Sequence, residues 1–163
     1  MEIRKVTETD DIDALSRIYA LSWKAAYRGI VPQDYLDGLP ENYWSALLKD
    51  SRRESLVILD HGAYVGTSSI CPAREETMSG WGEIISIYLL PEYFAKGYGG
   101  PLLAAATTEL GRMGFTKIYL WVLEANLRAR AFYEKHGFVS TSEKMLLNIG
   151  GKDFIEMRYA YSF

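Results

Sequence analysis

The chain has 163 residues, 48% of them hydrophobic, and its 18 Lys and Arg against 21 Asp and Glu leave a net charge of −3. This length and apolar content predict one packed domain over residues 1–163, and the slightly acidic charge argues against a nucleic acid as the main partner. Cys71 is the only cysteine, which excludes an intramolecular disulfide, and no apolar run is long enough for a signal core or a membrane span, so we expect a cytoplasmic protein without membrane contact.

The N-terminal half combines helix and strand patterns. Thr7, with Asp10 three residues on, is typical of the N-cap of a helix whose apolar residues recur at helical spacing. Residues 60–62 (Asp-His-Gly) predict a hairpin turn, which makes His61 a turn residue rather than a catalytic one. His61 and His136 lie far apart without a metal-ligand grouping beside them, so we expect no metal. The predicted elements are a strand at Glu2–Val6, a helix at about Thr9–Tyr27, a helical turn at Pro32–Leu39, a helix at Glu41–Arg53, and strands at Leu56–Leu59 and Ala63–Ile70.

In the C-terminal half, strands and helices alternate. Gly114 and Gly137 each end a helix, and Gly150–Gly151 joins the last two strands as a hairpin. The predicted strands are Trp81–Leu90, Phe115–Leu123, Phe138–Leu147 and Asp153–Tyr161, and the predicted helices are Gly99–Met113 and Asn126–His136. The strand–helix–strand unit predicts a parallel strand pair with a right-handed crossover. The whole order predicts an α/β fold in which a mixed central sheet of about seven strands carries helices on both faces.

A glycine-rich segment, Gly97–Gly100, lies between the central strand and the central helix. This arrangement lets the N–H groups of a helix start bind a phosphate. The chain lacks the Gly-Lys-Ser/Thr end of a P-loop, and Leu102 stands where a dinucleotide fingerprint needs its third glycine. Phe94–Gly99 instead resembles [RQ]-x-x-G-x-[GA], the pyrophosphate loop of the GNAT-type N-acetyltransferases. Phe94 departs from this pattern, so the loop would bind phosphates mainly through its backbone; an ordinary strand-to-helix turn is the alternative.

Two further strings carry the same resemblance. Asn126–Phe138 resembles the family's N-x-x-A-x-x-[FL]-Y-x-[KR]-x-G-F almost without departure. Ser22–Pro32 resembles SW-x-x-AY-x-G-[IL]-x-P, a motif of one subgroup of these acetyltransferases. With the glycine loop, the motifs fall in the order and spacing of the family.

The resemblance implies a V-shaped cleft for acetyl-CoA, formed where two parallel strands splay apart. The glycine loop would bind the pyrophosphate, and a bulge at the end of the central strand would pair with the pantetheine amides and the acetyl carbonyl. Asn126 would bind the pantetheine arm, or it would simply cap its helix. The residues implied in acetyl-CoA binding are Leu89, Leu90, Ala95, Lys96, Gly97, Tyr98, Gly99, Gly100 and Asn126.

Two side chains are candidates for the chemistry. Tyr133, a phenol with a pKa of about 10, can donate a proton or a hydrogen bond to the departing CoA thiolate. Glu83 is the candidate general base, because family members use a Glu at this place; an exposed strand end is the alternative. Strict alternation along the strand would place Glu83 on the face opposite Ser86 and Tyr88.

The acceptor is less clear from the sequence. Trp23 and Tyr27, at i and i+4, form either a core stripe or the wall of an acceptor pocket, and aromatic rings suit a cation. The resemblance implies direct transfer of acetyl to a primary amine, since nothing beside Cys71 would activate it as a covalent carrier. A small cationic metabolite, an antibiotic, an amino acid and a peptide N-terminus all remain open. So do a longer acyl-CoA, a non-catalytic acyl-CoA sensor and a homodimer.

Overall fold

The computed structural model describes residues 1–163 and contains seven strands and five α-helices. The strands are β1 (Glu2–Lys5), β2 (Glu54–Asp60), β3 (Ala63–Pro72), β4 (Gly82–Leu89), β5 (Lys117–Leu123), β6 (Val139–Ile149) and β7 (Lys152–Ser162). The helices are α1 (Ile12–Ala26), α2 (Gln33–Asp37), α3 (Ser45–Leu48), α4 (Gly99–Arg112) and α5 (Leu127–Lys135). One sheet has the order β1-β2-β3-β4-β5-β7-β6, in which only β4 and β5 are parallel. The predicted mixed sheet is confirmed, and none of the helices has the length and apolarity that crossing a membrane requires.

Alternate residues along the strands pack in two separate hydrophobic cores. Leu56 and Ile58 of β2 pack in one buried cluster with α4 and α5, whereas Val57 and Leu59 pack in the other with α1, α2 and α3. Because β-strand side chains alternate between faces, this separation means that helices cover both faces of the sheet. The predicted layers are therefore confirmed, with the α4 and α5 face opposite the α1 face.

The first helix starts later than predicted. Asp11, not Thr7, is the N-cap, and its Oδ1 accepts the N–H of Ala14 at 3.0 Å. Asp10 instead binds Arg4 through two hydrogen bonds of 2.8 Å and accepts the N–H of Thr7 at 2.7 Å. The predicted N-cap was wrong because the carboxylate three residues after Thr7 pairs with a strand residue rather than with a helix end.

The predicted helix at Glu41–Arg53 is also wrong, since only α3 within it is helical. Trp44 is buried and packs on Tyr19 of α1 with ring centroids 5.5 Å apart. Asp50 then accepts the N–H of Arg52 at 3.0 Å, which forms a turn into β2. The packing of Trp44 on Tyr19 and the turn stabilised by the Asp50 side chain thus replace the regular helix that the apolar spacing predicted.

The central strand carries a bulge and then parts from its parallel neighbour. Glu83 pairs with Cys71 and Ser86 with Ser69 on β3, so Ile85 is the extra residue. Since Cys71 and Ser69 share a face, Glu83 and Ser86 do too, and the prediction of strict alternation was wrong. β4 pairs with β5 only at Gly82 and Glu83, and this short pairing leaves a gap beyond them.

Candidate active site

The gap between β4 and β5 opens into a cavity of about 970 Å³. Its lining includes Gly97 just before α4 and Gly100 in the first turn of α4, and also Trp23 of α1 and Tyr27, the C-cap of that helix. Because α4 and α1 cover opposite faces of the sheet, residues of both faces line the cavity. We call this cavity the cleft.

The glycine loop has the backbone of an anion-binding loop. Ala95 and Gly97 have positive φ angles, 57° and 86°, and a left-handed residue next to an ordinary one turns successive N–H groups toward one side. α4 begins at Gly99 without a side-chain cap, which leaves its first N–H groups without a side-chain partner. A Cβ at Gly100 would lie 2.9 Å from His136 Nε2, so glycine there allows α4 to start close to α5. Ala95, Gly97, Gly99 and Gly100 all line the cleft, as their predicted role requires.

Lys96 and Tyr98, two other predicted loop residues, do not line the cleft. The Tyr98 ring packs edge-on against Tyr93, with centroids 5.0 Å apart. Lys96 Nζ lies 6.0 Å from the centroid of the same Tyr93 ring. Both side chains therefore lie beside Tyr93 rather than along the cleft.

At the end of β4, only one of the two predicted backbone positions faces the cleft. The N–H of Leu90 donates to the carbonyl of Val65 at 2.8 Å, and Leu90 is buried outside the cleft lining. Because N–H groups alternate between the two edges of a strand, the N–H of Leu89 points to the other edge, beside β5. Leu89 lines the cleft. The bulge of β4 lies at Ile85 rather than at the end of the strand, where we expected it.

A row of basic side chains along one edge of the cleft was not predicted from the sequence. Arg128 lies over the ring of Phe94, with its guanidinium carbon 4.1 Å from the ring centroid. Lys135 and His136 also line the cleft, and with Arg128 they lie at i, i+7 and i+8 along α5 and its end. This helical spacing is the feature of the sequence from which the row of basic side chains could have been predicted. Phe94, which departs from the family pattern, thus contacts a guanidinium at the cleft.

Asn126 and Tyr133 both face the cleft from α5. Asn126 is the N-cap, with Oδ1 accepting the N–H of Ala129 at 3.2 Å, while its Nδ2 has no partner in the protein. The Tyr133 side chain is buried, and its hydroxyl has no hydrogen-bond partner in the protein. Burial, reinforced by nearby Tyr88, raises the pKa of Tyr133 above its ordinary value. The phenol is therefore protonated at neutral pH and free to donate a hydrogen bond into the cleft.

Glu83 is buried rather than exposed, with 2% of its surface accessible. Arg74 donates to both of its carboxylate oxygens, at 2.6 Å and 3.1 Å, and Tyr119 donates its hydroxyl at 2.9 Å. Burial disfavours the charged form, but the hydrogen bonds and the positive charge of Arg74, with the Tyr119 hydroxyl, together outweigh it and lower the pKa of Glu83. An exposed strand end is thus excluded for Glu83. A carboxylate with these partners is a weak proton acceptor, so its predicted role as a general base stays a prediction.

Cys71 lies next to this ion pair and is 3% exposed. Burial, and then the Glu83 carboxylate, raise the pKa of Cys71 to about 11. Its thiol is therefore protonated at neutral pH, whereas a covalent acyl carrier needs a thiolate.

Trp23 and Tyr27, at the end of α1, pack against the core and also line the cleft. Trp23 packs on buried Trp44 with centroids 5.4 Å apart, and its Nε1 donates to the Tyr88 hydroxyl at 3.0 Å. Tyr27 packs edge-on against Trp23 at 4.7 Å. Trp23, Tyr27 and Tyr88 all line the cleft. The two interpretations of the α1 stripe, core and pocket wall, are therefore compatible.

Glu156 is a second carboxylate of the cleft, and nothing in the sequence patterns indicated it. It lies in β7 opposite Leu123 of β5 and Met145 of β6, and its side chain lines the cleft. It forms no hydrogen bond or ion pair within the protein. Partial burial raises the pKa of Glu156, and Arg74 only partly offsets this effect.

The parted parallel strands, the glycine loop and the motif of α5 together define a CoA-dependent acyltransferase. Residues 14–138, more than half of the chain, match the family model described as "Acetyltransferase (GNAT) family". The protein belongs to this family and is an acetyl-CoA-dependent N-acetyltransferase.

Named relatives agree with this assignment, and solved structures agree with the fold. The chain is 31% identical over 119 residues to the uncharacterized N-acetyltransferase YuaI of Bacillus subtilis, covering 72% of this chain and 69% of that protein. It is 29% identical over 164 residues to a spermidine N(1)-acetyltransferase of Thermoplasma acidophilum, covering 98% of each. The fold is similar to that of the PaiA N-acetyltransferase of Thermoplasma acidophilum in complex with coenzyme A (TM-score 0.75, 24% identity, 99% of this chain and 98% of the other). It is also similar to that of a ribosomal-protein-alanine N-acetyltransferase of Brucella melitensis (TM-score 0.77, 21% identity, 100% of both chains).

Proposed function

We propose that residues 1–163 act as one catalytic domain that transfers acetyl from acetyl-CoA directly to a primary amine of a small organic cation. The cleft between β4 and β5 carries this proposal, because it combines phosphate-binding features near α4 with an aromatic wall on the α1 face. Acetyl-CoA would enter from the α4 and α5 face, and the amine from the α1 face. The protonated thiol of Cys71 supports transfer without a covalent acyl-enzyme.

On the CoA side, the loop N–H groups of Gly97, Gly99 and Gly100 would bind the pyrophosphate. We further propose that Arg128 supplies the charged phosphate contact that Phe94 cannot make. The Phe94 ring would hold the guanidinium by a cation–π contact, 4.1 Å from its centroid. Leu89 N–H would bind the acetyl carbonyl, and the free amide of Asn126 would bind the pantetheine arm.

In the transfer step, the neutral amine nitrogen attacks the thioester carbon, the C–S bond breaks, and CoA leaves as a thiolate. The proton that the nitrogen loses passes to water or to the released thiolate, which is protonated at neutral pH because a free thiol has a pKa of about 8.5. The N–H of Leu89 would stabilise the oxyanion. The pKa of Tyr133 lies above the ordinary 10, whereas that of a free thiol is about 8.5, so complete proton transfer from the phenol to the thiolate is unfavourable. Tyr133 would therefore act mainly by donating a hydrogen bond to the developing thiolate.

Two observations support a cationic acceptor. Trp23, Tyr27 and Tyr88 present aromatic rings to the cleft, and such rings attract organic cations. The relative that matches 98% of the chain is named a spermidine N(1)-acetyltransferase. A polyamine or a related small amine therefore fits the proposal better than a peptide N-terminus.

The test is free-thiol release from acetyl-CoA with a panel of polyamines, amino acids, aminoglycosides and N-terminal peptides. We expect turnover with the polyamines and slower or no turnover with peptides. Faster turnover of peptides would refute the cationic acceptor. CoA binding without turnover of any amine would instead support the alternative of an acyl-CoA sensor.

A further inference from the structure

Glu156 has no cationic partner, although three cations lie on neighbouring segments. Arg74 is held by Glu83 at 2.6 Å. Arg158, two residues along β7, stacks over Trp121 at 5.8 Å. The third, Lys144 of β6, pairs with Glu124 at 2.8 Å. Each nearby positive charge is thus engaged elsewhere.

The surroundings of Glu156 are mainly apolar or aromatic. Its strand partners are Leu123 and Met145, and Tyr27 and Tyr88 line the same cleft. Desolvation of a carboxylate without a partner costs free energy, which a bound cation would recover. Aromatic rings around a carboxylate add cation–π attraction for an organic ammonium. The cleft therefore contains an anionic position that the protein leaves open.

We propose that Glu156, with Tyr27 and Tyr88, is the subsite that binds a positively charged amine of the acceptor. This inference rests on the proposed function and narrows the acceptor to amines that bring a cationic group to β7. Glu156 thereby acts as a substrate-binding residue, and its charge favours polyamines over neutral or acidic acceptors.

The test measures spermidine binding calorimetrically with CoA present, for the wild type, Glu156→Gln and Glu156→Asp. Glu143→Gln, an exposed residue of β6 outside the cleft, is the matched control for the lost charge. We expect Glu156→Gln to weaken spermidine binding at least tenfold, Glu156→Asp to retain most of it, and the control to change nothing. CoA affinity should be the same in all four proteins.

Spermidine binding within twofold of wild type in a folded, CoA-binding Glu156→Gln protein would overturn the inference, as would no spermidine binding by the wild type. Thiol release separates this inference from the proposed function. Turnover of amines that does not depend on Glu156 would support the proposed function and refute only the Glu156 subsite. Conversely, spermidine binding that depends on Glu156, without turnover of any amine, would support the subsite and refute the proposed transfer of acetyl to a small organic cation.

Discussion

The contact between Arg128 and Phe94 leads to a quantitative prediction for CoA binding. Arg128→Met keeps a long side chain but removes the charge at the cleft. A hydrogen bond to a charged group contributes about 1.5–3 kcal/mol, and the lower end applies because Arg128 is exposed. Since 1.4 kcal/mol corresponds to a factor of ten, we expect about a tenfold higher Kd for CoA.

Phe94→Ala should have a smaller effect, because it removes only the ring that holds the guanidinium. An exposed cation–π contact contributes about 0.5–1 kcal/mol, so Kd should rise about two- to fivefold. In the Arg128→Met background the same change should have almost no effect, because the ring then has no guanidinium to hold.

The assay is calorimetric titration of CoA into the two single variants and the double variant at two salt concentrations. Arg17→Met, on exposed α1 surface outside the cleft, is the control. The effect of Arg128→Met should shrink as salt rises, because salt screens exposed charges. A Kd for Arg128→Met equal to that of the wild type, or fully additive effects of the two substitutions, would refute the proposed role.

The remaining predictions concern catalysis and the buried ion pair. Tyr133→Phe should lower kcat much more than it changes the Kd for acetyl-CoA, and an unchanged kcat would remove Tyr133 from the mechanism. Arg74→Ala should lower the free energy of unfolding by about 2–3 kcal/mol in urea titrations, because it leaves the buried Glu83 charge unpaired. This is less than the roughly 3–5 kcal/mol for a fully buried pair, since more than half of the Arg74 side chain is exposed. A loss below about 0.5 kcal/mol would contradict this. Because the folded-state pKa of Glu83 is lowered, the ionised carboxylate contributes its full stabilisation above the unfolded pKa of about 4.3. The difference in free energy of unfolding between wild type and Arg74→Ala should therefore narrow as pH falls through the folded pKa. If Glu83 only holds Arg74, Glu83→Gln should reduce kcat less than tenfold at neutral pH, whereas a loss of about a hundredfold or more would make it the general base.

The sequence predicts those features that depend on local patterns. The glycine loop, the helix of Asn126 and Tyr133, and the order of strands all follow from short strings, and the structure has each of them. The positive φ of Gly97 and the N-cap of Asn126 are likewise local properties. Such features can be predicted without knowing which distant segments of the chain come into contact.

Features that depend on pairing between distant segments were missed. The bulge at Ile85 arises from register against β3, so alternation within β4 could not place Glu83. The same applies to Arg74, which reaches Glu83 from the loop after β3. Glu156 reaches the cleft only because β7 lies beside β5, an adjacency that no spacing in the sequence specifies.

The most direct test of the central claim is to follow the acetyl group itself. The protein is incubated with spermidine and acetyl-CoA that carries a deuterated acetyl group, and both products are identified by mass spectrometry. We predict labelled N-acetylspermidine in equal amount to free CoA, with no label on the protein. Unchanged spermidine beside intact acetyl-CoA, or label retained on Cys71, would contradict direct transfer to a cationic amine.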